Sequence, residues 1–187
     1  ANLLTVTRRP PRLMRDAQAG TEALVDAGHV GDIVDVDPAV LHLLCEARMV
    51  PVVASLAADT EGALYNVNAD SVAASLAGAF DAAKLFLLTN VSGVLADPAD
   101  PGSRWSVLST ADCDDLIAQR VIHGGMLPKV QACLDALAAG VRRTHILNGT
   151  LDHSLLLESF TYEGVGTMIL NPADKAAYLA GRSEPVP

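Results

Sequence analysis

The 187-residue sequence is short of positive charge: 13 lysines and arginines face 22 acids, for a net charge of -9. That balance argues against a general attraction to nucleic acid or to an anionic membrane, and leaves any phosphate to be held by a local site. Cysteine is scarce as well. Cys45, Cys113 and Cys133 are odd in number, widely spaced and without a CxxC pair. This speaks against a disulfide framework and a structural zinc site, and implies a reducing compartment. Long apolar runs are missing, because Asp81 and Lys84 interrupt the best candidate, between Ser71 and Val94. No stretch reaches the roughly 18 residues of a membrane span. Neither the Walker A nor the GxGxxG nucleotide fingerprint occurs. The opening Ala-Asn-Leu-Leu-Thr has no initiator Met and no signal-peptide pattern, and reads as a chain entered partway.

What is present is a globular composition. Half of the residues are apolar and 19% are charged, which excludes a disordered chain and supplies one sizeable core. Arg8, Arg9, Arg12 and Arg15 surround Pro10 and Pro11, a cluster that suits a solvated surface loop better than a strand or helix. From Asp32 onward the pattern alternates. Ile33 to Val36 predicts a strand; Asp37-Pro38 is a cap and first-turn signal for a helix with Val40, Leu41, Leu44 and Cys45. Val50 to Ala54 reads as a buried strand, Ala69 to Phe80 as a helix, and Lys84 to Thr89 as a second buried strand. Helices are expected at Ala111 to Arg120, Pro128 to Ala139 and Asp152 to Ser159, with strands at Thr144 to Leu147 and Gly166 to Leu170. The tail after Asn171 reads as frayed at its end. Strands separated by helices of this length imply parallel pairing through crossovers, hence an α/β sandwich.

In such a sheet, ligands bind where strand ends meet helix N-termini. Three segments qualify. Tyr65-Asn66-Val67-Asn68-Ala69-Asp70 opens a helix with two amides and a carboxylate. There Asn68 can serve as a cap and Asp70 can complement the dipole, while Asn66 is left to hold a substrate carboxylate. Lys84 to Pro98 is a buried strand that ends in Thr89 and Asn90 and runs into a glycine turn. His123-Gly124-Gly125-Met126-Leu127-Pro128-Lys129-Val130 allows close backbone approach, with Pro128 suited to the first helical position. Lys129 then falls in the first turn, where a cation is locally unfavourable unless an anion joins it.

These segments, with Gly31-Asp32-Ile33-Val34, Asp37-Pro38, Leu155-Leu156-Leu157-Glu158 and Glu163-Gly164-Val165-Gly166-Thr167-Met168-Ile169, run in the order found in the N-acetyl-L-glutamate kinases of the amino acid kinase family, which the chain resembles over nearly its whole length. The resemblance implies a three-layer α/β/α sandwich with a mostly parallel central sheet. Residues 1-65 would end the acetylglutamate-binding half, residues 66-170 would form the nucleotide-binding half, and residues 171-187 would be a tail. It implies transfer of the ATP γ-phosphoryl group to the side-chain carboxylate of N-acetyl-L-glutamate in arginine biosynthesis. Magnesium would arrive with the ATP, and no protein-held metal is implied.

Carried over by residue, Asn66 and Asn68 would contact the acetylglutamate, Lys129 would stabilise the moving phosphoryl group, and Asp70 would position the catalytic lysines. Asn90, Val91, Ser92, Gly93, Val94 and Leu95, together with Val121, Ile122 and His123, would border the nucleotide. His153, Glu158 and Gly164 resemble part of an arginine inhibitor site, with the guanidinium offsetting Glu158 at a helix C-terminus. A homo-oligomer, a PII-type signal protein as partner, and a cytoplasmic location, or a plastid in a photosynthetic eukaryote, complete the implication. Two departures stand out. The family's amino-terminal third, with its glycine-rich phosphate loop and a catalytic lysine, has no counterpart here, so this stretch alone is expected to be inactive. Asn90 also stands where the family usually has Asp. The alternatives are a noncatalytic nucleotide-binding or regulatory remnant, or a kinase of carbamate, aspartate, glutamate or UMP.

Overall fold

The computed structural model describes residues 2–15, 22–161 and 164–182. The chain divides into two compact units, Ala1–Phe80 and Asp81–Pro187. Among the described residues, no helix is long and apolar enough to cross a membrane.

The first unit comprises β1 (Leu4–Arg8), β2 (Arg12–Arg15), β3 (Glu22–Val25), β4 (Gly31–Val36), α1 (Ala39–Glu46), β5 (Leu56–Ala58), β6 (Leu64–Asn66) and α2 (Ala69–Ala79). Its main sheet has the order β4-β1-β5-β6, with β1 antiparallel to β4 and parallel to β5. Leu4, Val6, Ala57, Tyr65 and Val67 form the core with Val72 of α2, and each Val or Leu among them contributes about 1.5–3 kcal/mol on burial. Asn68 caps α2 by accepting the Ser71 N–H at 3.0 Å.

Two expectations fail in this unit. The arginine cluster is not a loop: Pro10 and Pro11 end β1, but Arg12 and Arg15 lie in β2, which pairs antiparallel with β3. Acids across the strands accept the charge. Arg9 meets Asp32 at 2.5 Å and Arg8 meets Asp26 at 2.7 Å. The hydrogen bond from Arg9, with help from Arg12, holds the Asp32 carboxyl below its ordinary range. Residues 50–54 are not a buried strand. Val50 is 88% and Val52 95% exposed, because Pro51 between them cannot donate to a ladder, and pairing begins only at β5.

The second unit comprises β7 (Lys84–Thr89), β8 (Val107–Ser109), α3 (Thr110–Ala118), α4 (Met126–Ala138), β9 (Arg143–Asn148), α5 (Ser154–Phe160), β10 (Thr167–Leu170) and α6 (Pro172–Arg182). The sheet order is β7-β9-β10-β8. Ile146, Leu147, Ile169 and Leu170 are fully buried, as expected of central strands covered on both faces, and α4 packs Val130, Cys133 and Leu137 toward them.

The α/β class is as expected, but the pairing is more mixed than alternating strands and helices imply. β7 and β9 are parallel, as are β8 and β10, whereas β9 and β10 are antiparallel. The seven-residue α5 spans only about 10 Å, half the length of β9, and does not carry the chain back to its starting end. The tail is helical through Arg182, with Pro172 at its start and Asp174 in its first turn, and the end expected to fray lies outside the described residues. Lys175 of this helix meets Asp112 at 2.5 Å. Asp112 closes a capping box with Ser109 at the start of α3. Burial alone would raise the Asp112 carboxyl, but Lys175 and Ser109 outweigh it and hold the group at about 2.

Candidate functional site

A cleft of about 450 Å³ opens in the second unit between the end of β7 and the start of α4. Asn90, Val91, Gly93, Val94 and Leu95 form one wall, and Val121, Ile122 and His123 form the other. Lys129 lines the same cleft, as do Thr89, Pro98, Gly125 and Met126. Ser92 belongs to the loop but does not line the cleft. Among the described lining residues, Lys129 and His123 are the ionisable ones.

Local sequence explains this construction. β7, expected to be a buried strand, is an edge strand that buries only Leu85 and Leu87 while Lys84 and Leu88 are exposed; it ends at Thr89, whose hydroxyl reaches Asn90 Oδ1 at 3.4 Å. On the other side, Gly124 takes φ +56, the left-handed region that glycine enters without cost. The helix α4 begins at Met126, so Pro128 is its third residue rather than its first. The displacement costs nothing, because none of the first four N–H groups of a helix has an intrahelical partner. Lys129 remains in the first turn. The Met126 and Leu127 N–H groups turn to the carbonyls of His123 and Gly124 at 3.3 Å, so Lys129, more than free N–H groups, characterises this helix start.

The other expected residues lie elsewhere. Asn66 ends β6 with an exposed side chain, its N–H donating to the His29 carbonyl at 2.8 Å. Asn68 is engaged as a cap, and Asp70 is half-buried in the first turn of α2. All three belong to the first unit.

Glu158 and Gly164 line a second cavity of about 420 Å³, with Lys84, Arg143, His145 and Tyr178. His153 does not line it; it sits exposed at the N-cap of α5. Glu163, part of the motif there, lies outside the described residues. The Glu158 carboxylate, expected to need a cation from a ligand, is answered within the chain. His145 Nδ1 lies 2.8 Å from Oε1, and the Val165 and Gly166 N–H groups donate to Oε2 at 2.7 and 2.9 Å. Burial raises the carboxyl's pKa, but these three hydrogen bonds outweigh it and leave the group below its ordinary value. Sequence reasoning missed His145, whose signal was a histidine set within the apolar strand Thr144 to Leu147. It also missed Met126 and Gly125 as cleft residues, although both stand inside the motif that was read.

A model of the amino acid kinase family matches residues 3–148. The chain belongs to that family. It is 50% identical over 150 residues to an acetylglutamate kinase of Pelotomaculum thermopropionicum, covering 80% of this chain and 51% of the relative. It is 40% identical over 169 residues to an acetylglutamate kinase of Methanothermobacter thermautotrophicus, covering 90% of this chain and 58% of the relative. Among solved structures, an N-acetylglutamate synthase from Neisseria gonorrhoeae, complexed with coenzyme A and L-arginine, superposes with a TM-score of 0.76 at 29% identity. That match covers 91% of this chain and 37% of the synthase. The chain thus spans about half the length of the curated relatives it matches.

Proposed function

We propose that this chain carries the nucleotide-handling part of an acetylglutamate kinase, which transfers the ATP γ-phosphoryl group to the side-chain carboxylate of N-acetyl-L-glutamate in arginine biosynthesis. The observation that carries the reading is the cleft itself: the strand-end loop 89–95, the segment 121–126 and Lys129 converge on one cavity. The acetylglutamate kinase relatives support the choice of substrate.

In this reading the apolar wall of Val91, Val94, Leu95 and Ile122 takes the nucleoside. The Lys129 ammonium meets charge developing on the phosphoryl oxygens as the bond to the β-phosphate breaks and the bond to the acceptor carboxylate forms. Asn66 contacts the acetylglutamate and Asp70 orients catalytic lysines. Magnesium enters bound to the ATP phosphates. Among the described residues, no group of three or more His, Cys, Asp or Glu side chains is placed to hold a resident ion.

Arginine as feedback inhibitor belongs to the same proposal. Glu158 and Gly164 line one cavity with Lys84 and Arg143, and the similar synthase was solved with L-arginine. A homo-oligomer in the cytoplasm, open to a PII-type partner, completes the reading.

Two measurements test it. Titration calorimetry of the 187-residue chain with MgADP should show saturable binding, and no heat at millimolar nucleotide would refute the nucleotide reading. In protein expressed from the whole coding region, Lys129→Ala should lower kcat by about 10²–10³, the scale of one lost transition-state contact. Asn66→Ala should mainly raise the KM for acetylglutamate. Small, equal effects in both variants would remove these residues from the reaction.

A further inference from the structure

The loop that leaves β7 folds back along itself before entering β8. Ala96 N–H donates to the Ser103 carbonyl at 3.0 Å, Leu95 and Arg104 form an antiparallel bridge, and Trp105 N–H donates to the Val94 carbonyl at 2.9 Å. In an antiparallel pair the complementary rung would run from the Val94 N–H to the Trp105 carbonyl. The Thr167 hydroxyl of β10 stands in that rung. Its Oγ1 accepts the Val94 N–H at 2.9 Å and donates to the Trp105 carbonyl at 2.6 Å.

Three further observations make this contact specific. Thr167 is fully buried, so no water can replace its hydroxyl without rearrangement. Gly93 takes φ +129, and a Cβ there would collide with Thr167 Oγ1, so the loop comes this close only because residue 93 has no side chain. Thr167 is itself held on the sheet. Gly166 before it lies against Ile146 and Leu147 with no room for a Cβ, and Met168 N–H donates to the Ser106 carbonyl at 3.0 Å. The loop's anchor is therefore a side chain on a central strand, the most rigid support available to it.

We propose that Thr167 is a positioning residue for the candidate nucleotide cleft: its buried hydroxyl completes the ribbon of residues 94–96 and 103–105 and thereby fixes the wall formed by Gly93, Val94 and Leu95. What the cleft holds rests on the proposed function; the anchoring itself does not. Removing the hydroxyl while keeping the shape leaves a buried N–H and a carbonyl without partners, a loss equivalent to about tenfold or more in the equilibrium constant between the ordered and the open wall.

The test compares Thr167→Val, which is nearly isosteric, with Thr167→Ser, which keeps the hydroxyl. In the nucleotide-free chain, amide exchange at Val94 should be about tenfold faster or more in the Val variant and within about twofold of wild type in the Ser variant. MgADP affinity should fall, by up to about tenfold, in Val and be retained in Ser. Thr167→Cys, with a weakly hydrogen-bonding thiol of similar size, replaces Val if that variant does not fold. Unchanged Val94 protection in Val or Cys would overturn the proposal. So would a lowered Tm with wild-type MgADP affinity, because that would make Thr167 merely structural. A wild-type chain that binds no MgADP would refute the nucleotide reading, while the exchange data would still decide whether Thr167 holds the loop.

Discussion

Replacing Glu158 offers the sharpest check on the second unit. Its side chain and that of His145 are each 5% exposed, and the carboxylate accepts from the imidazole at 2.8 Å and from the Val165 and Gly166 N–H groups at 2.7 and 2.9 Å. Glu158→Ala removes one partner of a buried pair and orphans two backbone donors, for an expected loss of about 3–5 kcal/mol. Glu158→Gln keeps the shape. If its carbonyl faces the two N–H groups, its NH2 faces His145 Nδ1 and forces the ring proton onto Nε2. That nitrogen is buried without a hydrogen-bond partner among the described residues. Charged acceptors give way to neutral ones, and the expected loss is about 1–3 kcal/mol.

Urea unfolding at pH 7, followed by circular dichroism, measures both variants. With a slope of about 1–3 kcal/mol per molar, the Ala midpoint should fall by roughly 1–5 M. The pH dependence follows from the lowered folded-state pKa of Glu158. A depressed carboxyl stabilises the folded chain fully above its unfolded value and loses that contribution as pH falls through the folded value. The gap between wild type and Glu158→Gln should thus be widest near neutrality and close as the pH drops below about 4. An Ala variant within about 0.5 kcal/mol of wild type, or a gap that widens on acidification, would refute this account.

Other outcomes are equally direct. Asn68→Ala should destabilise the first unit by about 1 kcal/mol through loss of the α2 cap, while leaving the KM for acetylglutamate near wild type. A large KM change would show that Asn68 also contacts the substrate, as the resemblance implies. Asn90→Asp should tighten MgATP binding or raise kcat if the amide weakens a site that suits a carboxylate, and weaker nucleotide binding by calorimetry would make Asn90 an adapted contact.

The cleft was largely legible in the sequence because its parts are local. A strand run ending in Thr89, a glycine turn at Gly93 and the Gly124-Gly125 approach to α4 each declare themselves within a few residues. Lys129 followed from the oddity of a cation in a helix's first turn. β1 and β5 were not legible: β5 is three residues long, and its place depends on pairing with strands distant in sequence. The apolar run around Val50 misled for the converse reason, since a short apolar segment carries no sign of whether a partner strand will cover it.

By itself, the sequence determined the α/β class, the main helices and strands of the second unit, and the glycine turn and helix start beside the cleft, while the resemblance to the family implied that residues 90–95 and 121–123 border one site. The former rest on periodicity, capping and glycine geometry, which act between near neighbours. Only the tertiary structure decided that β9 and β10 run antiparallel, that the arginine cluster is ordered by Asp26 and Asp32, that Glu158 is satisfied by His145, and that Thr167 stands behind Val94. Each of these joins groups far apart along the chain. Such contacts carry no periodicity to read, because they form only when burial makes an unpaired polar group more costly than the ordering needed to pair it.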